Sequence, residues 1–250
     1  MRVIAFTNQK GGVGKTTTVH NLGAALARDG RKVLLVDMDA QGSLTASCGF
    51  DPDGCRSLYE ALDGKARLDE IKRAVADVPG LDLAPAGIDL AQADLAFAAR
   101  IGRENMLRKA LAQVSGYDFV LLDCPPNLGL VTLNALVAAS EIVIPVQAEY
   151  HALRGLELLQ GTVAMVQELN PSLKVLGIVV TFFDKRKTLN RDVFNELRRT
   201  FREVLFDVKI RDAVALAEAP SNGQDIFTYR PASAGTEDYE RLAKEIEKRG

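Results

Sequence analysis

Residues 3–18 read VIAFTNQKGGVGKTTT, and this stretch decides how the chain folds. The apolar run from Val3 to Thr7 predicts a β-strand, the glycines predict a tight loop, and helical periodicity begins at Thr16. Glycines let backbone N–H groups converge on one point, and the N-terminus of the following helix adds partial positive charge. This pattern is typical of a phosphate cradle, in which Lys15 reaches the β- and γ-phosphates and the Thr16 hydroxyl ligates Mg²⁺.

Strand-like and helical segments alternate along the rest of the chain. Several strand-like runs, among them VLLVD at residues 33–37 and FVLLD at residues 119–123, are apolar at consecutive positions, which is typical of strands covered on both faces. The sequence therefore predicts an α/β fold, a single doubly wound, mostly parallel twisted sheet flanked by helices, in one domain spanning residues 1–250. The predicted strands are Val3–Thr7, Val33–Asp37, Leu81–Pro85, Phe119–Asp123, Ile142–Val146 and Val175–Thr181. The predicted helices are Thr16–Arg28, Leu90–Val114, Leu130–Ala139, Leu153–Leu169, Asn190–Leu205 and Ala234–Arg249.

The composition is that of an ordinary globular protein, with 47% hydrophobic residues, 26% charged residues and a formal net charge of -2. No run approaches the roughly 18 to 20 apolar residues that span a membrane, and the N-terminus lacks the plan of a signal peptide, so we expect a cytoplasmic protein. The overall charge would repel phosphate, so nucleic-acid binding would require a local basic patch. Cys48, Cys55 and Cys124 form no CxxC pair and are expected to be reduced thiols. His20 and His151 are expected to be packing or surface residues.

Three aspartates follow apolar strands. Asp37 and Asp39 lie in VDMDAQG, and Asp123 ends FVLLD. Because the carboxyl ends of parallel strands meet at one edge of a sheet, we expect these acids near the glycine loop. An acid in that place holds a water of Mg²⁺ or orients an attacking water, whereas turn formation is the alternative for any single aspartate at a strand end. Asp37 is expected to have a structural or supporting role.

One departure from the common phosphate-loop pattern points to a family. The pattern G-x-x-x-x-G-K-[ST] begins with glycine, whereas this chain has Gln9 there and Lys10 before the double glycine. The form KGGVGKTT resembles the deviant Walker A motif of the ParA, MinD and nitrogenase-iron-protein ATPases. The resemblance implies an ATP-sandwich homodimer in which Lys10 reaches the nucleotide held by the partner subunit. A second lysine is explained physically if it neutralises γ-phosphate charge in trans, as an arginine finger does, and a solvated surface lysine is the alternative.

The resemblance also implies the cofactors and the site residues. The cofactors are ATP and Mg²⁺, and the expected catalytic residues are Lys10, Lys15 and Asp39, with Asp39 positioning the hydrolytic water. Mg²⁺ is expected at Thr16, Asp39 and Asp123, the last of these acting through the hydration shell of the ion. The residues expected to bind ATP are Lys10, Gly11, Gly12, Val13, Gly14, Lys15, Thr16, Thr17 and Pro220.

Longer segments are most similar to the ParA/Soj branch of this family. The Asp39 segment continues as AQGSLT, the Asp123 segment continues as CPPNLGLVTLNAL, and later stretches read IPVQAEYHALRGLELL and AEAPSNG. MinD-type ATPases end in an amphipathic helix that enters the membrane surface. The last predicted helix here offers Tyr239, Leu242 and Ile246 among many acids, which favours packing on the body of the protein. Nitrogenase-like iron proteins need cluster-binding cysteines, and the cysteines of this chain do not match that requirement.

ParA proteins bind DNA without regard to sequence, and the chain has a candidate surface for this. On the predicted helix Asn190–Leu205, the side chains of Arg191, Arg198 and Arg202 fall within about 40° of one another, apart from the apolar stripe and the acids. Segregated cations suit a surface that faces phosphates, and an ordinary solvated helix face is the alternative. The predicted DNA-binding residues are Lys185, Arg186, Lys187, Arg191, Arg198, Arg202 and Arg211. Where many chromosomal ParA proteins have a DNA-binding arginine this chain has Ala215, so DNA binding is expected to rest on other cations or to be weaker.

The resemblance implies a DNA-bound positioning ATPase. ATP binding drives dimerisation, the dimer binds non-specific double-stranded DNA, and a ParB-like partner or cargo adaptor stimulates a slow intrinsic hydrolysis. The ATP-bound protein is expected on the nucleoid, without stable insertion into a membrane. A MinD-like membrane-associated ATPase that positions the division site or a protein cluster is one alternative, and a metabolic P-loop enzyme or reductase component is another.

Overall fold

The computed structural model describes residues 1–54, 56–150 and 152–249. Cys55 and His151, expected to be a reduced thiol and a packing or surface residue, lie outside the described residues. Within these ranges the strands are β1 (Arg2–Phe6), β2 (Val33–Asp37), β3 (Arg73–Ala74), β4 (Leu81–Ala84), β5 (Phe119–Asp123), β6 (Glu141–Gln147), β7 (Lys174–Phe183) and β8 (Leu205–Arg211). The helices there are α1 (Lys15–Arg28), α2 (Ser43–Ser47), α3 (Leu58–Asp63), α4 (Leu68–Ile71), α5 (Ala93–Ala96), α6 (Met106–Leu111), α7 (Leu130–Ala138), α8 (Ala152–Gln167), α9 (Thr188–Thr200), α10 (Val214–Glu218), α11 (Ile226–Tyr229) and α12 (Ala234–Arg249).

The strands described form one sheet in the order β3-β4-β2-β5-β1-β6-β7-β8. All neighbouring strands run parallel except β3 and β4, so the expectation of a mostly parallel, doubly wound sheet is confirmed. β1 lies between β5 and β6, so the loop that follows β1 leaves the middle of the sheet at its carboxyl edge. In sheets of this kind the ligand crevice lies outside the carboxyl ends of the strands.

Two apolar layers cover the faces of the sheet. Strands β2 and β5 are buried at every position, which is what their uninterrupted apolar sequences predict. One face packs against α1 and α12, through side chains such as Leu22 and Leu242. The other face packs against α6, α7, α8 and α9, through side chains such as Leu136 and Leu197. The sheet is therefore covered on both sides, and its strand ends are left as the place where polar groups gather.

Helix α12 packs on the body of the protein, as the sequence predicted. Tyr239, Leu242 and Ile246 are all buried. The hydroxyl of Tyr239 lies 3.5 Å from that of Thr18 in α1, and Arg249 donates a hydrogen bond of 2.7 Å to the Leu205 carbonyl at the start of β8. The same helix therefore joins α1 to the far edge of the sheet. None of the helices in the described ranges combines the length and the apolar character needed to cross a bilayer.

The single helix predicted over Leu90–Val114 is wrong. The chain instead forms the short helices α5 and α6 together with two 3₁₀ turns, Ile88–Gln92 and Arg103–Asn105. Gly102, which precedes the second of these turns, has φ of 70°, in the left-handed region that interrupts an α-helix. The apolar spacing of the segment matches a helix, but the backbone turns at this glycine.

The helix predicted over Asn190–Leu205 is correct in kind and wrong in extent, because α9 ends at Thr200. The buried Phe201 follows, and the chain then enters β8, a strand that the sequence interpretation missed. In LFDVKIR the apolar side chains are buried in the core, which requires the extended backbone of a strand at the sheet edge. Arg202 consequently lies in a turn beyond the helix. The helical angle that predicted its side chain beside those of Arg191 and Arg198 therefore does not apply.

Candidate functional site

Two buried carboxylates meet at the carboxyl edge of the sheet. Asp37 ends β2 and Asp123 ends β5, and the two residues are paired in register in neighbouring parallel strands. On its other side Asp123 is paired with Phe6, the last residue of β1. The structure therefore brings these acids to the base of the glycine loop.

The Thr16 hydroxyl donates a hydrogen bond of 2.7 Å to Oδ2 of Asp123. The other carboxylate oxygen, Oδ1, is buried and has no hydrogen-bond partner among the described residues. Burial raises the pKa of Asp123, and the nearby Asp37 raises it further, while the Thr16 hydrogen bond opposes the shift. A buried carboxylate with one open oxygen beside a threonine hydroxyl provides the oxygen ligands that Mg²⁺ and its bound waters prefer. These residues therefore fit a hydrated magnesium ion.

Lys15 lies inside the glycine loop. Its side chain is buried, and its ammonium nitrogen lies 3.2 Å from the Asn8 carbonyl and 3.5 Å from the Lys10 carbonyl. Burial lowers the pKa of Lys15, while the charge of Asp123 favours the ammonium form. Among the described residues, the Lys15 ammonium donates hydrogen bonds to backbone carbonyls alone, and such a buried cation is stabilised further when a phosphate reaches it. This position suits contact with the phosphates of a nucleotide.

The loop backbone requires glycine at two points. Gly12 and Gly14 have φ of 71° and 80°, in the left-handed region. A Cβ atom on Gly14 would also lie 3.3 Å from the ring of Phe182. The backbone of Phe182 is itself in the left-handed region, with φ of 51°. A side chain at position 14 is therefore disfavoured both by the backbone conformation and by the close approach of β7.

Three side chains that the sequence interpretation did not single out hold the loop in place. Asn8 accepts a hydrogen bond of 3.0 Å from the loop backbone two residues ahead. Gln147 donates to the Gly12 carbonyl at 3.0 Å, and Thr181 donates to the Val13 carbonyl at 2.9 Å. Asn8 follows β1, Gln147 ends β6, and Thr181 lies near the end of β7. Their places at or after predicted strand ends were the only signal in the sequence.

Asp37 anchors the segment that carries Asp39. Its carboxylate accepts hydrogen bonds from both the hydroxyl and the N–H of Thr45, at 2.7 and 2.8 Å, and from the Asp39 N–H at 3.2 Å. The half-buried Asp39 accepts from the Gln41 N–H through Oδ1 at 3.0 Å. Its Oδ2 has no hydrogen-bond partner in the part of the chain described. Asp37 therefore supports the turn, and Asp39 keeps an oxygen available for another ligand.

Lys10 lies on the outer rim of the loop. Its half-exposed ammonium contacts the carboxylate of Glu149 and lies 3.2 Å from the amide oxygen of Gln147. The two lysines of the loop therefore have opposite placements, Lys15 inside the cradle and Lys10 outside it. In this arrangement the Lys10 ammonium does not point into the cradle of its own chain, and it is accessible to a second molecule.

The other residues expected to bind ATP occupy varied surroundings. Gly11 is exposed, Val13 is buried, and Thr17 is half-buried in the first turn of α1. Pro220 lies in the 3₁₀ turn Ala219–Asn222, and no hydrogen bond within the described ranges joins this turn to the glycine loop. A contact between Pro220 and the nucleotide stays a prediction.

Ion pairs already occupy part of the predicted DNA-binding surface. Arg186 is paired with Asp184 at 2.9 Å, and Lys187 is 3.7 Å from Asp212. Arg211 forms hydrogen bonds of 2.8 Å with the carboxylates of the buried Asp238 and the exposed Glu237. These three cations are largely committed to neighbouring acids, so they contribute less to binding phosphate than their charge suggests.

The remaining cations are more available. Arg191 is exposed and donates to the Lys185 carbonyl and the Thr188 hydroxyl, so it holds the loop before α9. Lys185, Arg198 and Arg202 are exposed, and their side chains form no ion pair or hydrogen bond within the described residues. The structure therefore separates the predicted set into paired and unpaired cations.

The structure also places a lysine near this surface that the sequence interpretation missed. Lys209 in β8 stacks over the ring of Phe194 in α9, at 3.8 Å from its centre. Burial lowers the pKa of Lys209, and the neighbouring cations Arg198 and Arg241 lower it further. Lys209 could have been found from the sequence only if residues 205–211 had been predicted as a strand beside α9.

Comparison with known proteins identifies close relatives. A family model described as AAA domain matches residues 1–175. Sporulation initiation inhibitor protein Soj of Bacillus subtilis (strain 168) is 46% identical over 252 residues, covering 100% of this chain and 99% of that protein. Chromosome-partitioning ATPase Soj of Thermus thermophilus is 47% identical over 247 residues, covering 98% of this chain and 95% of that protein.

A solved structure extends the comparison to a bound nucleotide. It is described as Cobyrinic Acid a,c-diamide synthase from Mycobacterium smegmatis with bound ATP analog and magnesium, and it is similar with a TM-score of 0.85 and 40% identity over 98% of this chain and 93% of that chain. This similarity confirms the fold. That relative binds an ATP analog and magnesium, which correspond to the cofactors expected from the family resemblance. The chain is 46% and 47% identical to two Soj proteins over nearly its whole length, and the family model matches residues 1–175, so the chain belongs to the ParA/Soj family of P-loop ATPases.

Proposed function

We propose that residues 1–250 act as one partition ATPase domain, which hydrolyses ATP and uses it to switch between monomer and dimer. In this proposal the protein is cytoplasmic. Its ATP-bound dimer binds double-stranded DNA without sequence preference and therefore associates with the nucleoid. A ParB-like protein or cargo adaptor stimulates hydrolysis and releases the dimer. The names of the two Soj relatives, one of them a chromosome-partitioning ATPase, support this assignment.

The observation that carries the proposal is the opposite placement of the two loop lysines. Lys15 fills the interior of the loop, where it serves the nucleotide of its own subunit. The Lys10 ammonium lies outside, half-exposed, where a second subunit has access to it. A cation that is not needed in its own cradle and lies on its rim is suited to neutralising phosphate charge across an interface.

Each remaining site residue has a defined task. Thr16 and Asp123 would hold a hydrated magnesium ion, which would offset the charge of the phosphates. Backbone N–H groups of the loop and the N-terminus of α1 bind phosphate oxygens. Asp39 orients the attacking water through its open oxygen, and the turn anchored by Asp37 keeps it in place. We expect slow intrinsic turnover, because in this proposal Asp39 alone orients that water until the stimulating partner arrives.

Burial of the apolar side of α12 speaks against the membrane-associated alternative. A MinD-like helix presents bulky apolar residues to the lipid, whereas Tyr239, Leu242 and Ile246 are enclosed by the body of this protein. The metabolic alternative has one observation in its favour, the synthase name of the solved relative that is 40% identical. A metabolic enzyme consumes a small substrate in proportion to ATP, so product analysis during turnover separates the two functions.

The decisive experiment measures oligomeric state and DNA binding together. Wild-type protein with Mg²⁺ is compared without nucleotide, with ADP, with ATP and with a non-hydrolysable ATP analog, at two salt concentrations. We expect dimers and salt-sensitive DNA binding only with the triphosphates. The Lys10→Ala variant should bind nucleotide and remain monomeric. A wild type that stays monomeric with the analog, or that gains no DNA binding from ATP, overturns the proposal.

A further inference from the structure

A hydrogen-bonded cluster outside the nucleotide cradle engages the lysine that characterises this family. The Lys10 ammonium contacts the Glu149 carboxylate and the Gln147 amide oxygen, and the Gln147 amide nitrogen donates to the Gly12 carbonyl at 3.0 Å. Gln147 ends β6, and Glu149 follows two residues later. We call Lys10, Gln147 and Glu149 the lysine latch.

The latch competes directly with the role proposed for Lys10. A lysine ammonium has three donors but a single charge at the end of a flexible side chain, so it cannot lie against Glu149 and also reach a nucleotide in another subunit. Glu149 also places a negative charge beside the surface that the partner's triphosphate must approach, which opposes that approach. Both effects favour separate subunits.

We propose that Glu149, oriented together with Gln147, is an intrachain counter-ion that retains Lys10 in the separate subunit and sets the threshold for ATP-dependent dimerisation. This inference rests on the proposed function, because it concerns the same lysine and the same dimer. The triphosphate of the partner displaces Glu149 from Lys10 because it carries more charge. After hydrolysis and phosphate release, the diphosphate attracts Lys10 less, and the Lys10–Glu149 contact forms again.

The exposure of the pair suits a reversible restraint. The side chains of Lys10 and Glu149 are 50% and 52% exposed, so water weakens their attraction and little desolvation has to be recovered when they separate. Exposed ion pairs of this kind change an equilibrium by a factor of roughly two to five. A symmetrical dimer breaks two of them, one in each subunit, so the dimerisation constant changes by the square of the factor for one pair.

The main test measures the protein concentration at which half of the chains are dimeric, with Mg²⁺ and a non-hydrolysable ATP analog. Glu149→Gln keeps the size of the side chain and removes its charge, and we expect this variant to dimerise at a concentration about fivefold lower than wild type. The matched control is Glu168→Gln, which makes the same change of charge at an exposed site just beyond the other end of α8. The control should dimerise like wild type.

Two further measurements separate action through Lys10 from a general effect on folding. In the Lys10→Ala background, Glu149→Gln should not restore dimerisation, because the residue on which it acts is absent. In nucleotide-free protein, acetylation of Lys10 by an amine-reactive ester, followed by mass spectrometry, should be at least twofold faster in Glu149→Gln than in wild type. This second measurement needs no dimer.

The outcomes distinguish the latch from the proposed function. If wild type dimerises and Glu149→Gln dimerises at a lower concentration, both proposals are supported. If wild type dimerises and Glu149→Gln dimerises equally or less readily, the latch is wrong and the proposed function stands. If neither protein dimerises, both proposals fail. Equal acetylation rates of Lys10 in wild type and Glu149→Gln would show that the contact with Glu149 does not hold the lysine, and the latch would be wrong.

Discussion

The Thr16 hydroxyl and the Asp123 carboxylate, 107 residues apart in sequence, form a hydrogen bond of 2.7 Å at the base of the glycine loop. This contact joins the first turn of α1 to the end of β5, and it leaves one buried oxygen of Asp123 without a partner among the described residues. The pair therefore forms a prearranged oxygen site between the loop and the sheet. Its position explains why the two residues are expected to act on the same ion.

Replacing Thr16 by alanine should weaken both folding and magnesium binding. Asp123 then has no hydrogen bond to either buried oxygen, and such a loss costs about 1–3 kcal/mol in the free energy of unfolding. The Mg²⁺ concentration needed for half-maximal ATP binding should rise roughly tenfold or more. Urea unfolding and nucleotide titration at varied Mg²⁺ measure the two effects. Thr16→Ser keeps the hydroxyl and should behave like wild type, and an equal loss in both variants would show that the hydroxyl is not the important group.

Replacing Asp39 by alanine should stop hydrolysis without preventing nucleotide binding. The Asp39 carboxylate has an open oxygen, and the positions of Lys15 and Thr16 do not depend on it through any hydrogen bond within the described ranges. A lost general base or water-orienting group lowers turnover by roughly 100-fold or more. Phosphate release with and without a stimulating partner measures the rate, and a fluorescent ATP analog measures affinity. Turnover within a fewfold of wild type would remove Asp39 from the catalytic residues.

Reversing the charge of Arg198 should weaken ATP-dependent DNA binding. Arg198 is exposed and has no acidic partner within the described residues, unlike Arg186 and Arg211. Arg198→Glu is expected to reduce affinity roughly tenfold at low salt and to lower the salt slope by about 1. Lys32→Glu is the control with the same change of charge, at an exposed site just before β2, which four strands separate from β8 in the sheet. Equal affinities and slopes for Arg198→Glu and wild type would show that DNA binds elsewhere.

Acidification should destabilise the fold through His20. Burial lowers the pKa of His20 to about 4, from an ordinary value of 6.5. The unfolded chain takes up this proton below about pH 6.5, whereas the folded chain does so only near pH 4, so stability falls as the pH falls between these values. The contribution is roughly 1 kcal/mol per pH unit in the middle of this range. Urea unfolding of wild type and His20→Gln at pH 7.5, 6.5 and 5.5 measures it, and identical slopes would contradict the assignment.

The sequence was sufficient to predict the centre of the fold and the local parts of the site. The bounds of β2 and β5 were predicted to the residue, because uninterrupted apolar runs that end in aspartate are an unambiguous pattern for strands buried on both faces. The loop with Lys15 and Thr16 was equally visible, because its residues are contiguous. These features depend on neighbours in the chain, which a sequence displays directly.

Features that depend on distant contacts were missed. The Lys10–Glu149 contact joins residues 139 apart, and nothing near either residue indicates it. The helical spacing of the residues up to Phe201 continues smoothly toward β8, so the change from helix to strand could not be located until the edge of the sheet was known. That error moved Arg202 onto the wrong element and concealed Lys209. Local periodicity competes here with tertiary packing, and packing determines the outcome.

Because α12 contacts both α1 and β8, a protein that lacks α12 is expected to lose the stability of the whole fold. Deleting the last sixteen residues of the described chain, Ala234–Arg249, would uncover the apolar side of the helix that carries Thr16 and would take a support from the outermost strand. Purification tags and fluorescent fusions are therefore better attached through a flexible spacer that leaves Arg249 and its contact with Leu205 unchanged.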